Sequence, residues 1–222
     1  MASLITNAST AQIAALSTAA LARLTSEDWL AFSTDQFQAL TTTQFASLTS
    51  RAVSYFTTTQ LNALESRDLQ ALGTGSLAAL TTVQLGALNT ENIAALTTTQ
   101  VAALNSVQVG GLSTTQMQAI ESADLRALTT AALRSLSTAQ LEALGSDQIG
   151  ALSTGQVAAL TTAQLSSLVS DDLNALTTTQ IKAITTTEIG AISTTQVGAL
   201  TTVQIGVLTD SQLDSLTTTA IV

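Results

Sequence analysis

The sequence predicts an all-α solenoid of very short capped helices, one per octapeptide. Three observations predict it: an eight-residue repeat that never slips, two large apolar positions three apart in each repeat, and a hydroxyl residue followed three later by Gln at the start of most repeats. Large apolar residues recur at every eighth position, from Leu16, Leu24, Phe32 and Leu40 on to Leu208 and Leu216. A second series lies three residues earlier, from Ile5, Ile13, Leu21 and Trp29 on to Leu213 and Ile221. With these as positions 8 and 5, residues 1–222 form one continuous array of about 27 octads with no linker. The consensus is Thr-Thr-x-Gln-(Leu/Val/Ile)-x-Ala-Leu, as in Thr41-Thr42-Thr43-Gln44-Phe45-Ala46-Ser47-Leu48.

Each position has a physical reading. Position 1 is Ser or Thr in 20 of 27 octads, and position 2 is Ser or Thr from Thr10 to Thr218 with Asp210 the exception. Thr41 with Gln44, Ser33 with Gln36 and Thr97 with Gln100 show capping-box spacing. In that motif the hydroxyl accepts an orphan amide proton and the Gln reaches back to the cap. Acids at positions 3 and 4 (Glu27, Asp28, Asp68, Asp124, Asp171, Asp172) fall in the first turn, where the helix dipole favours them. They read as solvated helix N-termini, since paired catalytic carboxylates need a cleft and calcium loops need several oxygens around a Gly turn. Positions 5 and 8 share one helix face. Position 7 is Ala, Ser or Gly in 23 of 26 octads from Ala15 to Ser215, small enough for backbones to approach closely. Positions 3 and 6 vary and carry most of the charge. Gly stands at position 6 at 86, 110, 150, 190, 198 and 206, which suggests tight contact or a bend.

A single continuous helix fails, because each octad would rotate the apolar pair by about 80° and no stripe would form. A β-solenoid is the alternative, given the Thr, Val and Ile content. It would need a corner between positions 5 and 8, where Gly and Asn turn residues are scarce. Helices this short must stack on their own copies. Ser replaces Thr at position 2 at 26, 50, 66, 106, 122, 146 and 170; five of these (26, 50, 122, 146 and 170) fall in one 24-residue register, and Phe32 and Phe56 are also 24 apart. Three octads per coil follow, with two per coil as the alternative.

Composition narrows function. Thr and Ser make up about 29% of the chain, charged residues 9%, and there is no His, Cys or Pro. No thiolate, imidazole or triad chemistry is available, so no enzyme activity, cofactor or metal is expected. Six Lys and Arg against a net charge of -9 give no nucleic-acid footprint. No apolar run is long enough to span a membrane, and Met1 to Asn7 lack a basic segment of a cleaved Sec signal. Gly73, Gly75, Gly110 and Gly111 lack phosphate-loop context. The aromatics Trp29, Phe32, Phe37, Phe45 and Phe56 sit at positions 5 or 8 and read as core, whereas Tyr55 replaces a small position-7 residue and marks an irregularity.

Neither end shows a polar capping repeat. Leu4 and Ile5 at one end, and Leu213, Leu216, Ile221 and Val222 at the other, are therefore the candidate self-assembly residues. Contact between unlike ends builds an open head-to-tail homopolymer. The Leu-Ser/Thr-Thr-x-Gln-Val/Ile/Leu-x-Ala octads resemble the octapeptide arrays of large bacterial surface, adhesin-like and flagellum-associated repeat proteins. The resemblance covers essentially the whole chain. It implies a bacterial extracellular or cell-surface structural protein, a spacer or assembly module with no site residues to carry over; the filament is the expectation from the uncapped ends, and no small-molecule substrate is expected. The alternatives are a Thr-rich module binding ice or glycan, a spacer from a larger adhesin, and a cytoplasmic location.

Overall fold

The computed structural model describes residues 5–216. Among them are 26 helices of four to six residues, from Thr10–Ala14 to Asp210–Ser215, and no strand. The helical reading of the octad holds and the β-solenoid does not.

One octad shows why. Thr41 is an extended N-cap (φ -83°, ψ 156°) whose hydroxyl accepts the Gln44 amide at 3.3 Å. The Gln44 side-chain oxygen accepts the Thr41 amide at 2.7 Å, which completes the capping box. Helix Thr42–Ala46 follows, and the Leu48 amide donates to the Phe45 carbonyl at 3.1 Å, a tighter 3₁₀-type closure. The chain then turns through two extended residues, position 8 of one octad and position 1 of the next. Leu72 (φ -61°, ψ 130°) and Gly73 (φ -61°, ψ 148°) are one such corner. No described residue has positive φ or a cis peptide bond. Corners built from ordinary negative-φ residues explain how the repeat dispenses with Pro and with obligatory Gly.

Where position 1 lacks a hydroxyl, the local chemistry adapts or is lost. Asn105 accepts from both the Val107 and Gln108 amides. Glu65, Gly73, Glu121 and Val169 supply no side-chain cap. Helices of this length depend on packing in any case.

The chain divides into two compact units, Met1–Leu112 and Ser113–Val222. In the first, each helix packs on the third one along: Thr42–Ala46 on Ser66–Ala71, and Ser50–Val53 on Thr74–Leu77. The second repeats the pattern, with Ser146–Gly150 on Ser170–Ala175 and Thr154–Ala158 on Thr178–Ala183. Each unit is thus a solenoid stack with three octads, 24 residues, per coil. Positions 5 and 8 fill the interior, for example Leu61, Leu64, Leu69 and Leu72 in the first unit and Leu165, Leu168, Leu173 and Leu176 in the second.

The first unit adds an aromatic cluster. Trp29 stacks on Phe32 at 5.1 Å between ring centroids and lies 5.3 Å from Phe56, one coil along. Phe37 meets Phe45 and Phe56 edge-on at 5.5 and 4.9 Å. All five rings are buried, as core packing requires. The Trp29–Phe56 pair shows the vertical rule of the stack: position 5 of one coil contacts position 8 of the next.

Position 6 is less free than its variability suggests. Its side chain faces the position-7 carbonyl 25 residues on: Gln38 donates to Ala63 at 3.1 Å, Gln70 to Ala95 at 2.8 Å, and Ser166 to Ala191 at 3.2 Å. Where position 6 is Gly the backbones close up instead. A Cβ at Gly150 would lie 2.8 Å from the Ala175 carbonyl oxygen, and one at Gly190 would lie 2.8 Å from that of Ser215. Gly86 and Gly198 meet no such neighbour, so the tight-contact reading of these glycines holds only in part.

Candidate functional site

The position-4 glutamines are the most repeated polar structure in the molecule. Their side-chain oxygen caps their own helix, and their NH₂ group crosses to the preceding coil. Gln60 Nε2 donates to the carbonyls of Trp29 at 2.9 Å and Phe32 at 3.2 Å. Gln84 reaches Val53 and Phe56, and Gln108 reaches Leu77 and Leu80. The second unit repeats this: Gln156 with Leu125 and Leu128, Gln164 with Leu133 and Leu136, and Gln204 with Leu173 and Leu176. In each case the acceptors are 28 and 31 residues back, at the corner that closes an octad of the previous coil. One planar amide therefore satisfies an orphan N–H at a helix start and orphan C=O groups at a corner. These glutamines are buried, where an unmade hydrogen bond is expensive.

Capping-box spacing revealed one arm of this side chain and not the other. The overlooked signal is chemical: a cap alone is served as well by Glu, which the helix dipole also favours. Yet position 4 is Gln in 16 octads and Glu only at Glu188. Only the amide carries a donor for the second coil. At Glu188 a carboxylate oxygen is buried without a partner. By the repeat register the residues 31 and 28 back are Val157 and Leu160, the positions whose carbonyls accept from Gln in other coils.

The acids divide by position, which corrects their reading as solvated helix starts. Glu27 and Asp171 at position 3 are exposed, whereas Asp68, Asp124 and Asp172 at position 4 are buried. Burial is offset by hydroxyls of the preceding coil: Thr42 donates to Asp68 at 3.1 Å and Ser146 to Asp172 at 2.9 Å. Desolvation raises the Asp68 carboxyl above its ordinary range, opposed by the Thr42 hydrogen bond and the Arg67 charge. A carboxyl raised in the folded state contributes stability at low pH that is lost as pH rises through its folded pKa. Asp68→Asn keeps an acceptor for Thr42 and removes the charge. It is expected to raise the urea midpoint at pH 7, with the gain shrinking as pH falls toward the carboxylate range; a gain that grows on acidification would contradict this.

The first coil of the first unit and the last described coil of the second unit differ in what they display. At the start of the first unit Leu16 and Leu24, both position 8, are half-buried. They line an apolar concavity of about 500 Å³ together with Ile5, Ile13 and Gln12. The Gln12 oxygen caps Ser9 at 2.8 Å, while its NH₂ has no acceptor among the described residues. At the end of the second unit the position-5 residues Ile205 and Leu213 are 41% and 40% exposed, whereas interior position-5 residues such as Leu165 and Ile181 are fully buried. Of the six expected end residues, Leu213 is open, Ile5 and Leu216 are buried, and Leu4, Ile221 and Val222 lie outside the described residues.

Among the described residues no cluster of acids has the makings of a metal site, and no helix is long and apolar enough to cross a membrane. Residues 61–98, 93–119, 117–154 and 167–202 match the family profile of the ALTTAQ repeat, together more than half of the chain. No curated protein matches it.

Proposed function

The chain belongs to the ALTTAQ-repeat family, and from that premise we propose that it is a non-enzymatic structural subunit which docks end to end on copies of itself. The carrying observation is that each outer face lacks what the other displays. The first described coil offers half-buried position-8 leucines (Leu16, Leu24) and a glutamine NH₂ (Gln12) without an acceptor among the described residues. The last described coil offers the exposed position-5 residues Ile205 and Leu213. Position 5 below position 8 is a contact that joins coils in the first unit, as Trp29 and Phe56 show. A second copy can therefore extend the same stacking, with Gln12 reaching toward corner carbonyls as the internal glutamines do. Unlike faces in contact build an open filament. Absence of His and Cys supports a non-enzymatic role, and the octad's resemblance to bacterial surface arrays supports an extracellular or cell-surface setting.

Sedimentation and electron microscopy across a concentration series test the reading. The wild-type protein is expected to form concentration-dependent filaments. Leu213→Asp and Ile205→Asp, at exposed positions, should keep the helical circular dichroism spectrum while weakening association by tenfold or more. Monodisperse monomers at high concentration would sink the proposal and favour the spacer reading, in which both faces are covered by further coils of a longer chain.

A further inference from the structure

Three residues break the small-residue rule at position 7: Arg23, Tyr55 and Val207. Two of them, Arg23 and Tyr55, line one concavity of the first unit, about 140 Å³ in volume. Arg51, Thr25, Thr49 and Trp29 are also part of its wall. Two of the six cationic residues of a chain with net charge -9 thus line a single depression. The ion pairs among the described residues are those of Arg67 with Glu65 and Asp68, although Arg23 also shares a neighbouring concavity with Asp28. The acids nearest in sequence, Glu27 and Asp28, do not line the concavity, and an Asp28 carboxylate oxygen is engaged by the Thr25 amide and hydroxyl. Arg51 is held in place, with its Nε donating to the Tyr55 hydroxyl oxygen at 3.1 Å. That bond leaves the terminal guanidinium nitrogens and the phenolic proton as unused donors.

We propose that this concavity binds a small tetrahedral oxyanion, phosphate or sulfate, between the Arg23 and Arg51 guanidinium groups with the Tyr55 hydroxyl as a third donor. Guanidinium forks suit such oxygens because two parallel N–H groups meet two acceptors. A tetrahedral anion also has enough oxygens to serve three donor side chains at once. The general field of an acidic protein repels anions, so the site must act through these local donors.

Trp29 is the only tryptophan and is buried beside this concavity, so its fluorescence is the probe for changes there. Inorganic phosphate and sulfate are titrated in a zwitterionic buffer at ionic strength held constant with chloride, with calorimetry in parallel. A saturable response is expected. Tyr55→Phe should weaken binding several-fold and Arg51→Gln about tenfold, from the loss of one neutral and one charge-assisted contact respectively. Arg23→Lys with Arg51→Lys should retain partial affinity, and Arg23→Gln with Arg51→Gln should abolish it. Both arginines are exposed, so circular dichroism should be unchanged. A response no larger than the chloride control, or undiminished affinity in the double glutamine variant, overturns the proposal.

Discussion

Gln60→Ala is expected to destabilise the first unit by about 2–4 kcal/mol, the scale for leaving two or three buried polar groups without partners. The truncation uncaps the Thr57 amide and strips donors from the Trp29 and Phe32 carbonyls in the coil before it. Gln60→Glu separates the two arms. It retains an oxygen for Thr57 but sets a second oxygen against the two carbonyls, so most of the loss should persist at neutral pH. Thr57→Ala removes only the reciprocal hydroxyl contact at 3.2 Å and should cost about 1 kcal/mol. The converse change is Glu188→Gln, which supplies the missing donor where a buried oxygen is unpartnered. It should raise stability. Urea midpoints of the four variants give the ranking, and equal losses for Thr57→Ala and Gln60→Ala would show that the inter-coil arm contributes nothing.

Trp29→Ala should cost about 3–5 kcal/mol, the range for deleting a fully buried aromatic ring. The ring is wholly inaccessible and contacts Phe32 within its own octad and Phe56 in the next coil. Loss should therefore fall on the inter-coil interface as well as on the local helix. In a repeat array, stability is approximately a sum of unit and nearest-neighbour terms. Thermal unfolding of the variant is accordingly expected to broaden or split, with the coils around residues 29–56 melting first. A uniform shift of a single sharp transition would contradict that.

The sequence exposed those features that repeat within eight residues. Thr41 and Gln44 could be read as a capping box because both partners lie inside one octad. The apolar pair at positions 5 and 8 could be read as one face for the same reason. The 24-residue coil was legible only from departures from consensus, the serines at 26, 50, 122, 146 and 170 and the Phe32–Phe56 spacing. What escaped were contacts that require the coil length before they can be located. Gln44 reaches Ile13 and Leu16, Gln38 reaches Ala63, and Asp172 receives Ser146, at separations of 31, 28, 25 and 26 residues. None of these is a multiple of the octad, so periodicity alone does not mark them. The acids show the same limit: position 3 and position 4 are adjacent in sequence, yet one faces water and the other the neighbouring coil. Likewise Tyr55 stood out as an irregularity, but its partner Arg51 and neighbour Arg23 became a group only once the coils were stacked.

The glutamine amide also bears on how such a chain can grow. Its acceptors are always 28 to 31 residues away, wherever in a unit it occurs. No segment has to search further than one coil and a corner for its partner. Relative contact order therefore falls as coils are added, and with it the loop-closure entropy that slows the folding of large domains. Lengthening the array by whole coils leaves each folding step the same size, so chain length is set by the span to be covered rather than by the difficulty of folding it.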